Sequence, residues 1–81
     1  MTPRLPQPSG RDVIRALKRG GFAEKRWKGS HCIMARPAAD GEIVVIVPVH
    51  GERPLRPGTL NRIMEQAGLS REEFERLLRG H

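Results

Sequence analysis

The chain is most strongly patterned at Glu42-Ile43-Val44-Val45-Ile46-Val47-Pro48-Val49, a nearly continuous run of β-branched residues. Such residues are enriched in strands because their branched side chains pack well on a pleated surface. The run therefore predicts the strongest strand of the fold. It follows Pro37-Ala38-Ala39-Asp40-Gly41, a cluster of turn-forming residues that predicts a connection from an earlier antiparallel strand.

Two further extended stretches precede this strand. Residues 22–28 alternate irregularly between polar and apolar side chains, and residues 31–36 form a second extended run. Gly29-Ser30 lies between them and has the chemistry of a tight turn. We therefore predict a three-stranded antiparallel sheet in which consecutive strands form hairpins.

The region before the sheet divides into a leader and a helix. Three prolines within residues 1–8 restrict that segment to extended or turn conformations, so we predict an extended leader there. Ser9 and Asp12 have the spacing of a capping pair, and the apolar residues that follow share one face of a helix predicted over about residues 11–19. Residues 9–81 are then predicted to form a single domain.

Two helices are predicted after the sheet. Pro57 suits the first turn of a helix whose apolar residues recur at helical spacings until Gly68, and Ser70 with Glu73 caps a short third helix that ends near Gly80. The predicted order is α-β-β-β-α-α. The fold class is α+β, a two-layer sandwich with the helices on one face of the antiparallel sheet. This order is also that of double-stranded-RNA-binding domains.

Charge and composition favour a polyanionic partner. The 81 residues include 15 Lys and Arg against 9 Asp and Glu, a net charge of +6, and the isoelectric point is about 11.1. Such a balance is typical of nucleic-acid binding, although charge does not distinguish RNA from DNA. Cys32 is the only cysteine, which excludes an internal disulfide and fits a reducing cytoplasm. With neither a signal peptide nor a long apolar run in the sequence, we expect a cytoplasmic protein without membrane insertion.

One segment concentrates the candidate functional residues, Lys25-Arg26-Trp27-Lys28-Gly29-Ser30-His31. Cations position a phosphate backbone, an aromatic ring can stack on an unpaired base, and imidazole titrates close enough to neutral pH to move protons. RNA cleavage needs a base for the ribose 2′-hydroxyl proton and an acid for the leaving oxygen. We therefore predict His31 as the catalytic residue and Ser30 as a candidate to assist it. The residues predicted to bind RNA are Lys25, Arg26, Trp27, Lys28 and Gly29.

Simpler interpretations stay open for these residues. The segment is equally compatible with a hairpin that carries an exposed histidine, and Trp27 is more readily explained as cover for the sheet edge than as a stacking platform. His50 follows the strong strand and is a second candidate proton donor or phosphate contact, with a solvated loop histidine as the simpler interpretation. Three arginines around the start of the second helix could extend the basic surface: Arg53, Arg56 and Arg62.

Other chemistries are disfavoured by spacing. The three histidines lack the spacing and the accompanying ligands of a zinc motif, so we predict no metal site. Cys32 directly follows His31 in a strand, where their side chains would point to opposite faces, so we predict core packing for Cys32 and no Cys-His nucleophile. Gly20-Gly21 follows a helix, whereas a phosphate-binding loop precedes one, so we predict no nucleotide cofactor.

Several ordered motifs together resemble the HicA family of bacterial toxins. They extend from about Leu5 to Phe74 and comprise Ser9-Gly10, Gly21-Phe22, Lys28-Gly29-Ser30-His31, Val47-Pro48-Val49-His50, Gly58-Thr59-Leu60 and the stretch from Ile63 to Ser70. The resemblance implies a double-stranded-RNA-binding-like fold, ribonuclease activity on mRNA that arrests translation, and an essential histidine, here His31. It also implies a HicB-type antitoxin that covers the active surface.

The resulting prediction is an mRNA interferase, an endoribonuclease that needs no metal ion. Two features depart from the family pattern: Trp27 stands where a smaller polar residue is more usual, and the third helix extends beyond the common core. A non-catalytic double-stranded-RNA-binding module is the alternative, because net charge and element order alone would suit one. A protein-interaction domain is a third interpretation.

Overall fold

The computed structural model describes residues 7–80. The elements are α1 (Gly10–Arg19), β1 (Ala23–Lys28), β2 (His31–Ala38), β3 (Gly41–Pro48), α2 (Pro57–Ala67) and α3 (Arg71–Leu78). The predicted order and the α+β class are confirmed. Residues 1–6 of the predicted leader lie outside the described residues, as does His81. No helix among residues 7–80 combines the length and apolar character that a membrane span requires.

The sheet is antiparallel with the strand order β1-β2-β3. Gly29-Ser30 forms the two-residue turn between β1 and β2, so Lys28 lies directly opposite His31. Gly29 has φ 60°, which suits the first central position of a type II′ turn, where a residue without Cβ is favoured. On its other side His31 lies opposite Pro48 of β3. The first predicted hairpin is thus confirmed, and its turn brings the ends of all three strands together.

The second hairpin is tighter than predicted. Sequence patterning predicted a turn over residues 37–41, but β2 continues to Ala38, which lies opposite Gly41. The predicted turn was too long, because Pro37 and Ala38 belong to β2 and only residues 39 and 40 form the turn. β1 pairs with β2 only as far as Ala35, so β2 is locally an edge strand at Pro37, where a missing backbone donor is tolerated.

The two faces of the sheet differ in burial. Cys32 and Met34 of β2 lie opposite Val47 and Val45 of β3, and all four are fully buried against the helices. Cys32 therefore packs in the core, as predicted. Side chains alternate along β3, so those next to Val45 and Val47 point to the other face, where Val44 remains 44% exposed. The helices thus cover one face and leave the opposite one open.

Both predicted capping boxes are present. Ser9 Oγ accepts a hydrogen bond from the backbone N–H of Asp12 at 3.2 Å, and the Ser9 N–H donates to the Asp12 carboxylate at 3.0 Å. With Ser9 as the N-cap, α1 begins at Gly10, one residue earlier than predicted. A Cβ at position 10 would overlap the carbonyl oxygen of Pro48, so only glycine lets α1 start directly against the end of β3. The Ser70 and Glu73 pair caps α3 in the same way.

Candidate active site

His31 lies at the end of the open face of the sheet. It is the first residue of β2, its side chain is exposed, and its neighbour Cys32 faces the core. Directly opposite residues in antiparallel strands share a face, so His31 stands between Lys28 of β1 and Pro48 of β3. The imidazole is therefore accessible to a polymer strand that crosses this face.

Helix α2 completes the surroundings of His31. It lies along the free edge of β3, where the Gln66 Oε1 accepts a hydrogen bond from the Ile46 N–H at 3.1 Å. This contact places one face of α2 next to the open face of the sheet. The result is a cavity of about 330 Å³, lined by His31, Ile46, Pro48, Thr59, Arg62, Ile63 and Gln66.

Arg62 is the cation that shares the cavity with His31. Its side chain is exposed, and the ion pairs found among residues 7–80 do not include it. An imidazole can transfer protons, and a guanidinium donates paired hydrogen bonds that match a phosphate. The cavity thus places a group that can transfer protons beside a group that can bind a phosphate.

Sequence reasoning placed Arg62 only on a general basic surface and missed its proximity to His31. Thr59, Arg62 and Gln66 recur at spacings of three and four, which puts them on one face of a helix. That signal was available in the sequence. The sequence did not show which part of the sheet this face meets, because α2 is joined to β3 by a loop and docks through the buried side of the helix.

The cations of β1 are not equally available to a ligand. A bulge between Glu24 and Arg26 adds Lys25 as an extra residue, and its ammonium group pairs with the carboxylate of Glu42 on β3 at 2.5 Å. Arg26 lies opposite Ile33, and Lys28 lies opposite His31, both on the open face. The charge of Lys25 is therefore already compensated, whereas Lys28 borders the His31 cavity.

Trp27 lies on the other face of the sheet from His31. It is opposite Cys32, which points into the core, and its indole N–H donates to Glu24 Oε1 at 2.9 Å. Glu24 also pairs with Lys18 of α1 at 2.7 Å. The hydrogen bond from Lys18, followed by the one from Trp27, lowers the pKa of Glu24. The structure thus does not bring Trp27 and His31 together, and it agrees with the interpretation of Trp27 as cover for the sheet edge.

The segment that carries the sheet and the cavity of His31 matches a known protein family. The family model described as HicA toxin of bacterial toxin-antitoxin matches residues 10–69, which covers the sheet, α1, α2 and the cavity of His31. The chain belongs to the HicA toxin family. No curated protein matches the chain. Membership in the HicA family makes this protein the toxin of a toxin–antitoxin system, and the family implies a cognate antitoxin as its partner. Helix α3 lies beyond the matched residues.

Ser30 and His50 occupy different positions in this HicA-family toxin. The Ser30 carbonyl oxygen accepts from the Val49 N–H at 2.8 Å, which fixes the chain after β3 against the turn. His50 does not line the cavity of His31. It lines a second cavity of about 400 Å³ together with Arg53 and Arg56. Assistance of catalysis by Ser30 or His50 stays a prediction.

Other chemistries gain no support from the described part of this HicA-family chain. Burial raises the pKa of the Cys32 thiol, which disfavours the reactive thiolate. Within residues 7–80, no three His, Cys, Asp or Glu side chains are grouped so that they could hold a metal ion. Independence of the reaction from metal ions stays a prediction.

Proposed function

We propose that this HicA-family toxin is an mRNA interferase, an endoribonuclease that uses His31 to cleave mRNA and thereby inhibits translation. The observation that carries the proposal is the exposed imidazole of His31 in one cavity with the guanidinium of Arg62. The net charge of +6 supports a polyanionic substrate. With mRNA as the substrate, we expect the toxin to act in the cytoplasm.

The proposed reaction follows from the two groups in the cavity. The His31 imidazole takes the proton from a ribose 2′-hydroxyl, and the 2′-oxygen attacks the adjacent phosphorus. The bond from phosphorus to the 5′-oxygen breaks, and that oxygen takes up a proton from the imidazolium or from water. Arg62 donates hydrogen bonds to the phosphate oxygens, whose negative charge becomes concentrated in the transition state. The products are a 2′,3′-cyclic phosphate and a 5′-hydroxyl.

The open face of the sheet would carry the RNA strand to this cavity. Lys28 lies directly opposite His31 and Arg26 lies further along the same strand. Both would contact phosphates of the substrate, as would the exposed backbone at Gly29. Lys25 could contact a phosphate only after its ion pair with Glu42 breaks. The proposed chemistry uses only side chains of the protein, so we expect cleavage to continue in the presence of EDTA.

Substitution of His31 tests the proposal. We expect His31→Ala to lower the rate of cleavage of a purified mRNA by about 10²- to 10⁴-fold, which is the usual contribution of a general acid or base. Its melting temperature should match the wild type because the ring is exposed. His50→Ala should retain far more activity, because His50 does not line the cavity of His31. Equal cleavage by wild type and His31→Ala would rule out the proposed role.

The same assay distinguishes the alternative function. A non-catalytic double-stranded-RNA-binding module would bind duplex RNA with a steep dependence on salt and release no fragments. In cells, expression of the wild type should arrest growth, and expression of His31→Ala should not.

We further propose that the antitoxin is of the HicB type and covers the open face of the sheet. Val44 and Ile46 are each 44% exposed on that face, and Ile46 also lines the His31 cavity. Exposed apolar side chains that adjoin a functional cavity favour a protein partner there. We expect Val44→Ser, which shortens this exposed apolar side chain without adding a charge that would repel RNA, to weaken binding of the co-expressed antitoxin while RNA cleavage by the free toxin continues. Unchanged affinity would place the antitoxin elsewhere.

A further inference from the structure

A second cavity adjoins the one that contains His31. It has a volume of about 400 Å³ and is lined by Pro48, His50, Arg53, Pro54, Leu55, Arg56 and Thr59. Pro48 and Thr59 line both cavities. The two cavities are therefore neighbours on the surface, and an extended ligand that passes over Pro48 and Thr59 would reach both.

The charge in this second cavity is available to a ligand. Arg53 and Arg56 are exposed, and the ion pairs found within residues 7–80 include neither of them. Glu52 belongs to the same loop but does not line the cavity. The cavity thus presents two guanidinium groups and the imidazole of His50, and its lining residues include no carboxylate.

The loop that carries these groups is anchored to the rest of the domain. The Leu55 N–H donates to the Pro8 carbonyl oxygen at 2.8 Å, and Leu55 is only 7% exposed. Pro54 forms a β-bridge with Ser9. The Arg53 N–H donates to the His50 carbonyl oxygen at 3.1 Å. The two arginines therefore extend from a fixed backbone, which lowers the entropic cost of binding a ligand.

We propose that this second cavity is a phosphate subsite, which binds the RNA phosphate next to the one cleaved at His31. The inference rests on the proposed function and extends it. Guanidinium groups bind phosphate with paired charge-assisted hydrogen bonds, and successive phosphates of one strand would lie in successive cavities. His50 is then a phosphate contact rather than a partner of His31 in proton transfer.

The proposed subsite predicts how binding depends on the number of phosphates in the substrate. A dinucleotide has one phosphate between its nucleosides and fills only one cavity, whereas a trinucleotide fills both. The second phosphate is held equally before and during the reaction, so it contributes to binding and affects KM rather than kcat.

Binding of uncleavable ligands tests the subsite apart from catalysis. Single-stranded oligodeoxythymidylates lack the 2′-hydroxyl, so they report binding alone. We expect the wild type to bind the trinucleotide, with two phosphates, about tenfold more tightly than the dinucleotide, with one. The double variant Arg53→Gln/Arg56→Gln should abolish this difference. Its affinity for longer oligomers should fall less steeply with salt, by about 0.7 in the logarithmic slope for each phosphate that the variant no longer neutralises.

A control variant separates the subsite from general charge. Arg71→Gln/Arg76→Gln removes the same charge from α3, whose exposed residues line neither cavity, and should keep the tenfold difference. An equal difference in wild type and Arg53→Gln/Arg56→Gln, or an equal reduction in the control variant, would overturn the proposal. If the difference is present but mRNA is never cleaved, the subsite stands and the proposed ribonuclease function fails.

Discussion

The two faces of the sheet are built from neighbouring residues of the same strands, yet they have opposite environments. His31 is exposed on the open face and the next residue, Cys32, is fully buried on the covered face. Val44 and Val45 repeat the contrast, with 44% and 0% of their surfaces exposed. Side chains alternate along a strand, so a single step in sequence moves from the proposed chemistry to the core. Activity and stability should therefore be separable by substitutions at adjacent positions.

After His31 itself, the largest effect is expected at Arg62, which lines the cavity at the open face. Arg62→Gln removes the guanidinium that shares the cavity of His31, and we expect kcat for RNA cleavage to fall by about 10²-fold, as when one donor to a developing negative charge is removed. The melting temperature should change little, because Arg62 is exposed.

Lys25→Gln is the informative control for Arg62. It removes an equal charge from the segment that is richest in cations in the sequence, but Lys25 is already paired with Glu42. We expect cleavage within about threefold of the wild type, since exposed ion pairs contribute little. Equal decreases in the two variants would mean that general positive charge, and not the His31 cavity, determines the rate.

A second test compares stability across the sheet. Val45→Ala removes two buried methyl groups and leaves a cavity, so we expect it to lower the free energy of unfolding by about 2–3 kcal/mol. Val44→Ala makes the same change on the open face and should cost less than about 0.5 kcal/mol. Urea unfolding measures both values. Similar costs at the two positions would contradict the assignment of the faces.

Local signals predicted most of the fold and the position of His31 directly after the turn. Gly29-Ser30, the capping pairs and the burial of Cys32 all depend on residues close in sequence. The separation of Trp27 from His31 also follows from local rules: a two-residue turn sets Lys28 opposite His31, so Trp27 points to the other face. The prediction that Trp27 clusters with the cations and His31 did not take this alternation of side chains into account.

The rest of the site depends on contacts between distant elements. Arg62 lines the cavity of His31 because α2 packs along the edge of β3. The pair of Lys25 with Glu42 joins β1 to β3 across the sheet, at the position where β1 contains a bulge. Neither docking nor a bulge has a clear signature in a single sequence. Sequence alone therefore placed the candidate binding residues on β1, whereas the structure also brings residues of α2 into the cavity of His31.

The smallest expected effect concerns the N-terminus of α1, on the covered side. Ser9→Ala removes the hydroxyl that accepts from the Asp12 N–H and should lower the free energy of unfolding by about 1 kcal/mol, with RNA cleavage unchanged.

The N–H of residue 9 remains in this variant, and it is the main group that lowers the pKa of Asp12 below its ordinary value of 3.8. A lowered pKa in the folded state means that ionised Asp12 stabilises the fold above pH 3.8, and that this stability disappears as the pH falls through the lower value. Ser9→Ala should therefore keep most of this acid-dependent decrease and lose only the smaller part due to its hydroxyl, whereas Asp12→Ala should abolish the part due to this carboxylate. Urea unfolding at neutral and acidic pH compares the two, and an equal acid dependence in Asp12→Ala and wild type would show that the carboxylate does not stabilise α1.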